Sequence, residues 1–213
     1  MTTRVVLVHG AATTPAVWDR LVPLLAGRPG VAEVVAPLRA SSGDLARELA
    51  DLAPLARDAV VVGVSGGATL GLALLAGEVR LAGAVLHEPA VGSWVPGLLD
   101  HVVAGYARDG VPGFGRALYG PGWDPGMAPA DPDAVGRDLA MFRRFQPAAP
   151  SAGQGPVLVT VGELSPPVRH RASDALATHL GLPARVLPGA GHFVQHDAPE
   201  VLAGAVLDVV GAR

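Results

Sequence analysis

Apolar residues gather into short runs separated by longer stretches in which apolar and polar positions alternate at helical spacing. The runs are Val5–Val8, Val31–Ala36, Ala59–Val64, Leu81–Leu86, Val157–Val161 and Ala184–Leu187. A strand that is apolar on both faces is what a fully buried parallel sheet requires. Helical patterns lie between most of these runs. In Pro15–Leu25, Thr14 is placed to cap, Pro15 falls in the first turn, and Val17, Trp18, Leu21, Val22 and Leu25 share one face. Ser41 and Asp44 read as a capping box before a helix that runs to about Leu55. Gly66–Leu75, Pro167–Leu180 and Pro199–Val210 complete the set. Strand–helix alternation of this kind predicts an α/β fold, a mostly parallel sheet of about six strands wound on both faces.

The rhythm breaks between Pro89 and Pro156, where no strand pattern occurs. Helical pieces near Val95–Arg108 and Asp133–Phe145 flank the glycine- and proline-rich GVPGFGRALYGPGWDPGMAPADP. Residues 89–155 therefore form an insertion, expected to be a helical cap, within a core made of 1–88 and 156–213. Trp94, Tyr106, Phe114, Tyr119, Trp123, Phe142 and Phe145 all fall in it, leaving Trp18 and Phe193 outside. Such aromatics either pack the insertion onto the sheet or line a pocket. Trp94, Tyr106, Phe114, Tyr119, Trp123, Phe142 and Phe193 are the candidate substrate contacts.

Composition narrows the function. The 213 residues suit one domain, and 50% hydrophobic with 16% charged residues excludes disorder. A net charge of −3, with scattered arginines as the basic residues, gives no reason to expect nucleic acid or a membrane surface as partner. Absence of Cys excludes disulfides, thiolate metal sites and a cysteine nucleophile. No Lys means no P-loop lysine, and the first turn reads HGAATT rather than GxGxxG, so no nucleotide cofactor is implied. The N-terminal MTTRVVLVHG has too short an apolar run for a signal peptide, and no segment is long enough for a membrane helix. The expectation is a cytoplasmic protein acting on a small molecule without a cofactor.

Candidate chemistry centres on GVSGG, residues 63–67. AVVVGV before Ser65 reads as a buried strand, and GATLGLALLAG after it as a helix. A tight turn between them strains the serine backbone, which is tolerable where neighbours lack side chains. It also lifts the hydroxyl above the sheet and aims a helix N-terminus at it, where N–H groups can hold an oxyanion. The serine needs a histidine base. Of seven histidines, His192 is best placed: it follows the last strand through the turn PGAG and precedes the final helix, above the carboxyl edge of the sheet. His196 lies four residues on, but no third ligand is near, so no metal site is expected. His9 reads as structural; His87, His101, His170 and His179 read as ordinary core or surface residues.

VLVHGAATTPAVWDRLVPLL, GVSGG and LPGAGHFVQHDAPEVL resemble, in order, the oxyanion turn, nucleophile elbow and catalytic-histidine segment of the α/β-hydrolase superfamily. The resemblance implies an α/β-hydrolase fold in which the N–H groups of Ala11 and Gly66 form the oxyanion hole, and 89–155 is the variable cap. Two departures stand out. There is no room for the antiparallel hairpin with which the family often begins. The strand Val31–Ala36 is then expected at an open edge, a pairing surface for a second subunit and hence a homodimer. The family also usually places an aspartate three residues past a glycine after the next-to-last strand, and here that residue is Ser165 in GELSPP. A serine cannot compensate an imidazolium. Two carboxylates compete for the role: Glu88, ending the strand next to the nucleophile strand, and Glu163, two residues early in the usual loop. The expected activity is hydrolysis of an ester, thioester or related acyl bond through an acyl-enzyme. A lyase, cyclase or acyltransferase using His192 as general base is the alternative on the same fold, and a ligand-binding protein with weak turnover is a further one.

Overall fold

The computed structural model describes residues 2–212. Six strands, β1 (Thr3–Val8), β2 (Val31–Val35), β3 (Val60–Val64), β4 (Gly83–His87), β5 (Val157–Gly162) and β6 (Ala184–Leu187), form one sheet in the order β2-β1-β3-β4-β5-β6. Every neighbouring pair is parallel. The central strands β3 and β4 are buried throughout, which their unbroken apolar sequences require. The edges differ. Three of the four β6 residues are exposed, and β2 is largely open and paired by β1 alone. At β6 the expectation of a strand buried on both faces fails, because Arg185 points outward to pair with Asp208 at 2.6 Å.

Helices α1 (Val22–Leu25), α2 (Leu45–Ala56), α3 (Gly66–Ala76), α6 (Pro167–Leu180), α7 (Val194–Asp197) and α8 (Pro199–Gly211) cover the sheet. The core lies between α3, α8 and the central strands. Where a single helix over Pro15–Leu25 is expected, a 3-10 turn at Pro15–Trp18 is followed by the four-residue α1. Pro23 supplies no N–H and its ring excludes a helical carbonyl four residues back, so the chain restarts there. Asp44, not Ser41, caps α2, its side chain accepting from the N–H groups of Ala46 (2.9 Å) and Arg47 (3.2 Å). Ser41 turns away, donating to Asp138 at 3.2 Å.

Between β4 and β5 lie two longer helices, α4 (Asp100–Tyr119) and α5 (Ala134–Arg144), and no strand. α4 runs eleven residues beyond its expected end at Arg108, but Asp109 and Gly110 leave helical geometry and divide it into two arms. Pro112 then falls in the first turn of the second arm, where its missing N–H is not needed. The arms meet at glycine: a Cβ on Gly113 would lie 2.0 Å from the Gly105 carbonyl oxygen. The buried Arg39 ties α5 to the core, with Asp138 on one side (2.8 and 3.2 Å) and Glu48 of α2 on the other (3.1 Å). Among the described residues no helix is long and apolar enough to cross a membrane.

Candidate active site

Ser65 sits between β3 and α3 with φ 58° and ψ −119°. Its own N–H is held by the His87 carbonyl at 2.9 Å, so the neighbouring strand fixes the strained turn. Two glycines make the turn possible. A Cβ on Gly67 would stand 1.8 Å from the Val8 carbonyl oxygen, and one on Gly63 would meet the Gly67 carbonyl at 2.4 Å. The sequence GVSGG is thus dictated by the approach of β1, β3 and α3 to one another.

The turn after β1 is oriented from behind. The Gly10 carbonyl accepts from His9 Nδ1 and from Thr13 Oγ1, each at 3.0 Å. A carbonyl only accepts, so His9 carries its proton on Nδ1, and Nε2 accepts the Arg39 N–H at 3.3 Å. Burial, then the Arg39 charge, lowers His9 to about 3, which keeps it neutral. The peptide is trans, so the Ala11 N–H points opposite to the held Gly10 carbonyl. From the insertion, Tyr119 donates to the Ala11 carbonyl (2.7 Å) and Trp123 Nε1 to the Ala12 carbonyl (2.8 Å). Among the described residues the N–H groups of Ala11 and Gly66 have no hydrogen-bond acceptor, and both residues line a small cavity with Ser65.

His192 follows β6 and is buried. Its Nδ1 meets Glu88 Oε2 at 2.7 Å, while Nε2 is buried with no hydrogen-bond partner among the described residues. Glu88, just past β4 with φ 50°, accepts on Oε1 from the Gly162 N–H (2.9 Å) and from Ser165 Oγ. Burial would raise the Glu88 carboxyl; the imidazoles of His87 and His192, with the Arg169 guanidinium, outweigh it and hold the group below the usual carboxylate range. Burial, then the Arg169 charge, lowers His192 to about 4 against the opposing pull of Glu88. The imidazole is therefore a neutral base across the physiological range. Beneath it, His87 donates from Nε2 to the Gly191 carbonyl (3.1 Å) and accepts on Nδ1 from Thr160 (3.0 Å), fixing the backbone next to His192. The ring of Tyr119 stacks on His192, centroids 5.6 Å apart.

Glu163 is not part of this group: its carboxylate accepts the Gly189 N–H at 2.8 Å on the surface. Of the aromatic candidates, Phe114 and Phe142 line the cavity, and Tyr119 stands against Ser65 and His192. The other four are elsewhere. Trp94 packs on His179, Tyr106 meets Phe114 edge-on from behind, Trp123 covers Gly115, and Phe193 is buried between Tyr119 and His196. Helix-facing geometry decides this, and the number of aromatics in a segment does not reveal it. Arg169, which also lines the cavity, escapes sequence reasoning because PPVRH resembles any exposed first turn of a helix. His196 pairs with Asp197 at 2.8 Å, and among the described residues no three His, Cys, Asp or Glu side chains group to hold a metal ion.

A sequence model described as the alpha/beta hydrolase family matches residues 5–205. The chain belongs to that family. No curated protein matches it. Among solved structures, this α/β hydrolase resembles the enol-lactonase of Burkholderia xenovorans, with a TM-score of 0.73 at 18% identity, over 99% of this chain and 92% of that one. NosK of Streptomyces actuosus gives 0.69 at 24% identity, covering 98% and 97%. Carboxylesterase CesB of Bacillus subtilis gives 0.67 at 18%, covering 98% and 84%. At these identities the likeness is one of fold, and the six-stranded parallel sheet with flanking helices agrees with it.

Proposed function

We propose that this α/β hydrolase is a serine hydrolase that cleaves an ester, thioester or related acyl bond through an acyl-enzyme, with Ser65, His192 and Glu88 as its triad. The observation that carries the reading is the buried His192, with Nδ1 on an ionised carboxylate and Nε2 free for a proton. Ser65 Oγ attacks the acyl carbon as His192 Nε2 takes its proton. The carbonyl π electrons move to oxygen, where the N–H groups of Ala11 and Gly66 receive the negative charge. Glu88 stays ionised and compensates the imidazolium. Collapse of the tetrahedral species breaks the bond to the leaving alcohol or thiol, which departs with the proton from His192. Water, deprotonated by the same nitrogen, then attacks the acyl-enzyme, and the acid leaves as Ser65 recovers its proton.

Residues 89–155 act as the cap in this reading, since Phe114 and Phe142 bring apolar surface to the cavity that Ser65 lines. The names of the enol-lactonase and carboxylesterase structures agree with acyl chemistry. Labelling with a fluorophosphonate, followed by intact mass and peptide mapping, tests it. One adduct per chain, on Ser65 and abolished in His192→Ala, is expected. Folded protein that takes no adduct, even from a small methylphosphonate, would turn the reading toward a non-hydrolytic enzyme using His192 as general base.

A further inference from the structure

Among the described residues Arg169 is the one strongly basic group lining the cavity. It lies in the first turn of α6 and is 3% exposed, so its guanidinium is cut off from bulk water. Its hydrogen bonding is thin for a buried cation. Nη1 donates to the Glu88 carbonyl at 3.4 Å; Nε stands 3.6 Å from Glu88 Oε2, beyond hydrogen-bond length. Oε2 itself is committed to His192. Nη2 is buried with no partner among the described residues. A buried, unsatisfied donor is costly, and a guanidinium fork matches a carboxylate or a phosphate; in a small, apolar-walled cavity the smaller, singly charged carboxylate fits better. Phe114, Leu118, Leu139 and Phe142, which supply much of the remaining wall, suit the methylene chain that would join such a carboxylate to a reacting carbonyl. Because Ser65 and Arg169 line the same small cavity, one short acyl arm can reach both.

We infer that Arg169 is a substrate anchor that takes a carboxylate at the far end of a short acyl chain, so that the preferred substrates are half-esters or half-thioesters of small dicarboxylic acids. This rests on the hydrolase reading above for its chemistry but not for its binding. The test compares kcat/KM for monophenyl glutarate and monophenyl adipate with phenyl 5-methylhexanoate and phenyl 6-methylheptanoate, which replace each carboxylate by an isopropyl group of like shape. Methyl phenyl glutarate, uncharged but still bearing an acceptor oxygen, separates charge from hydrogen bonding. Arg169 also stands by Glu88, so Arg169→Gln lowers turnover of every ester; the ratio between matched substrates cancels that common loss. The wild type is expected to prefer at least one half-ester about tenfold or more, with the methyl ester siding with the apolar compound, and Arg169→Gln to bring the ratio near one. Ratios near one in the wild type, a ratio unchanged in Arg169→Gln, or equal preference for the methyl ester would overturn the proposal. Calorimetry with glutarate on Ser65→Ala gives a reading independent of turnover. Binding there, lost in the Ser65→Ala, Arg169→Gln double variant, supports the anchor even if no ester is hydrolysed, an outcome that would sink the hydrolase reading alone. No glutarate binding together with no half-ester preference would sink the anchor alone.

Discussion

Glu88, the acid of the proposed triad, reaches His192 from just past the end of β4. The serine at position 165 cannot carry the charge, yet it donates to the carboxylate that does, alongside the Gly162 N–H. Glu88→Gln is close to isosteric but presents an amide to His192 Nδ1, favouring the wrong tautomer. We expect kcat to fall by about 10³–10⁴-fold with the fold retained, by circular dichroism and thermal melting. Glu163→Gln is expected to leave kcat within about twofold, since that carboxylate faces a surface turn. Comparable losses in the two variants would remove Glu88 from the triad. Ser65 and His192 are legible in the sequence because each sits in a local pattern, strand–turn–helix for one and strand–turn before the last helix for the other. Glu88 is legible only as one of two carboxylates, because choosing between them requires β4 and β5 to be placed side by side. Arg169 is not legible at all, for its burial depends on β4, the insertion and α6 meeting.

The same division holds among the elements. Strands β1, β3, β4 and β5 and helices α3, α6 and α8 follow from apolar runs and glycine or proline punctuation, within a residue or two at most ends. What local pattern misses is the work of single residues in tertiary context: Pro23 splitting the first helix, and Gly105 and Gly113 letting the arms of α4 touch. The docking of α5 is a similar case, resting on the Arg39–Asp138 pair 99 positions apart in sequence. Burial raises the Asp138 carboxyl against the pull of Arg39, so the pair depends on both partners. Asp138→Ala leaves a buried guanidinium short of one partner and should cost about 3–5 kcal/mol. Because α5 also carries Phe142, which lies over Gly66, ester turnover should fall too. Arg39 also pairs with the buried Glu48, so replacing all three charges, Arg39→Met with Asp138→Leu and Glu48→Gln, should recover much of the lost stability. Urea unfolding of the two variants decides it: a triple variant no more stable than Asp138→Ala would show that the cluster specifies docking by geometry rather than by charge balance.

Across the whole molecule, the arrangement makes the fold acid-sensitive before the chemistry is. Three histidines are buried neutral at or just behind the site: His9, lowered to about 3, His192, lowered to about 4, and His87, lowered chiefly by burial. In the unfolded chain each binds its proton near its ordinary value of about 6.5. Between that value and the folded one, the unfolded chain holds more protons, so stability rises with pH and is lost as pH falls through the window. The half-buried His101, also lowered, acts in the same sense; Asp138, raised by burial, opposes them. The melting temperature is therefore expected to be flat above about pH 7 and to decline steadily from about 6.5 toward 4. Initial rates on a phenyl ester, taken at a temperature well below the melt, should hold through most of that decline, because His192 remains unprotonated until about pH 4. An acid limb in kcat/KM near pH 6.5 on protein still folded by circular dichroism would mean that substrate or solvent reaches His192 and restores its ordinary basicity. In that event the tight closure of Tyr119 over the imidazole would be absent from the working enzyme.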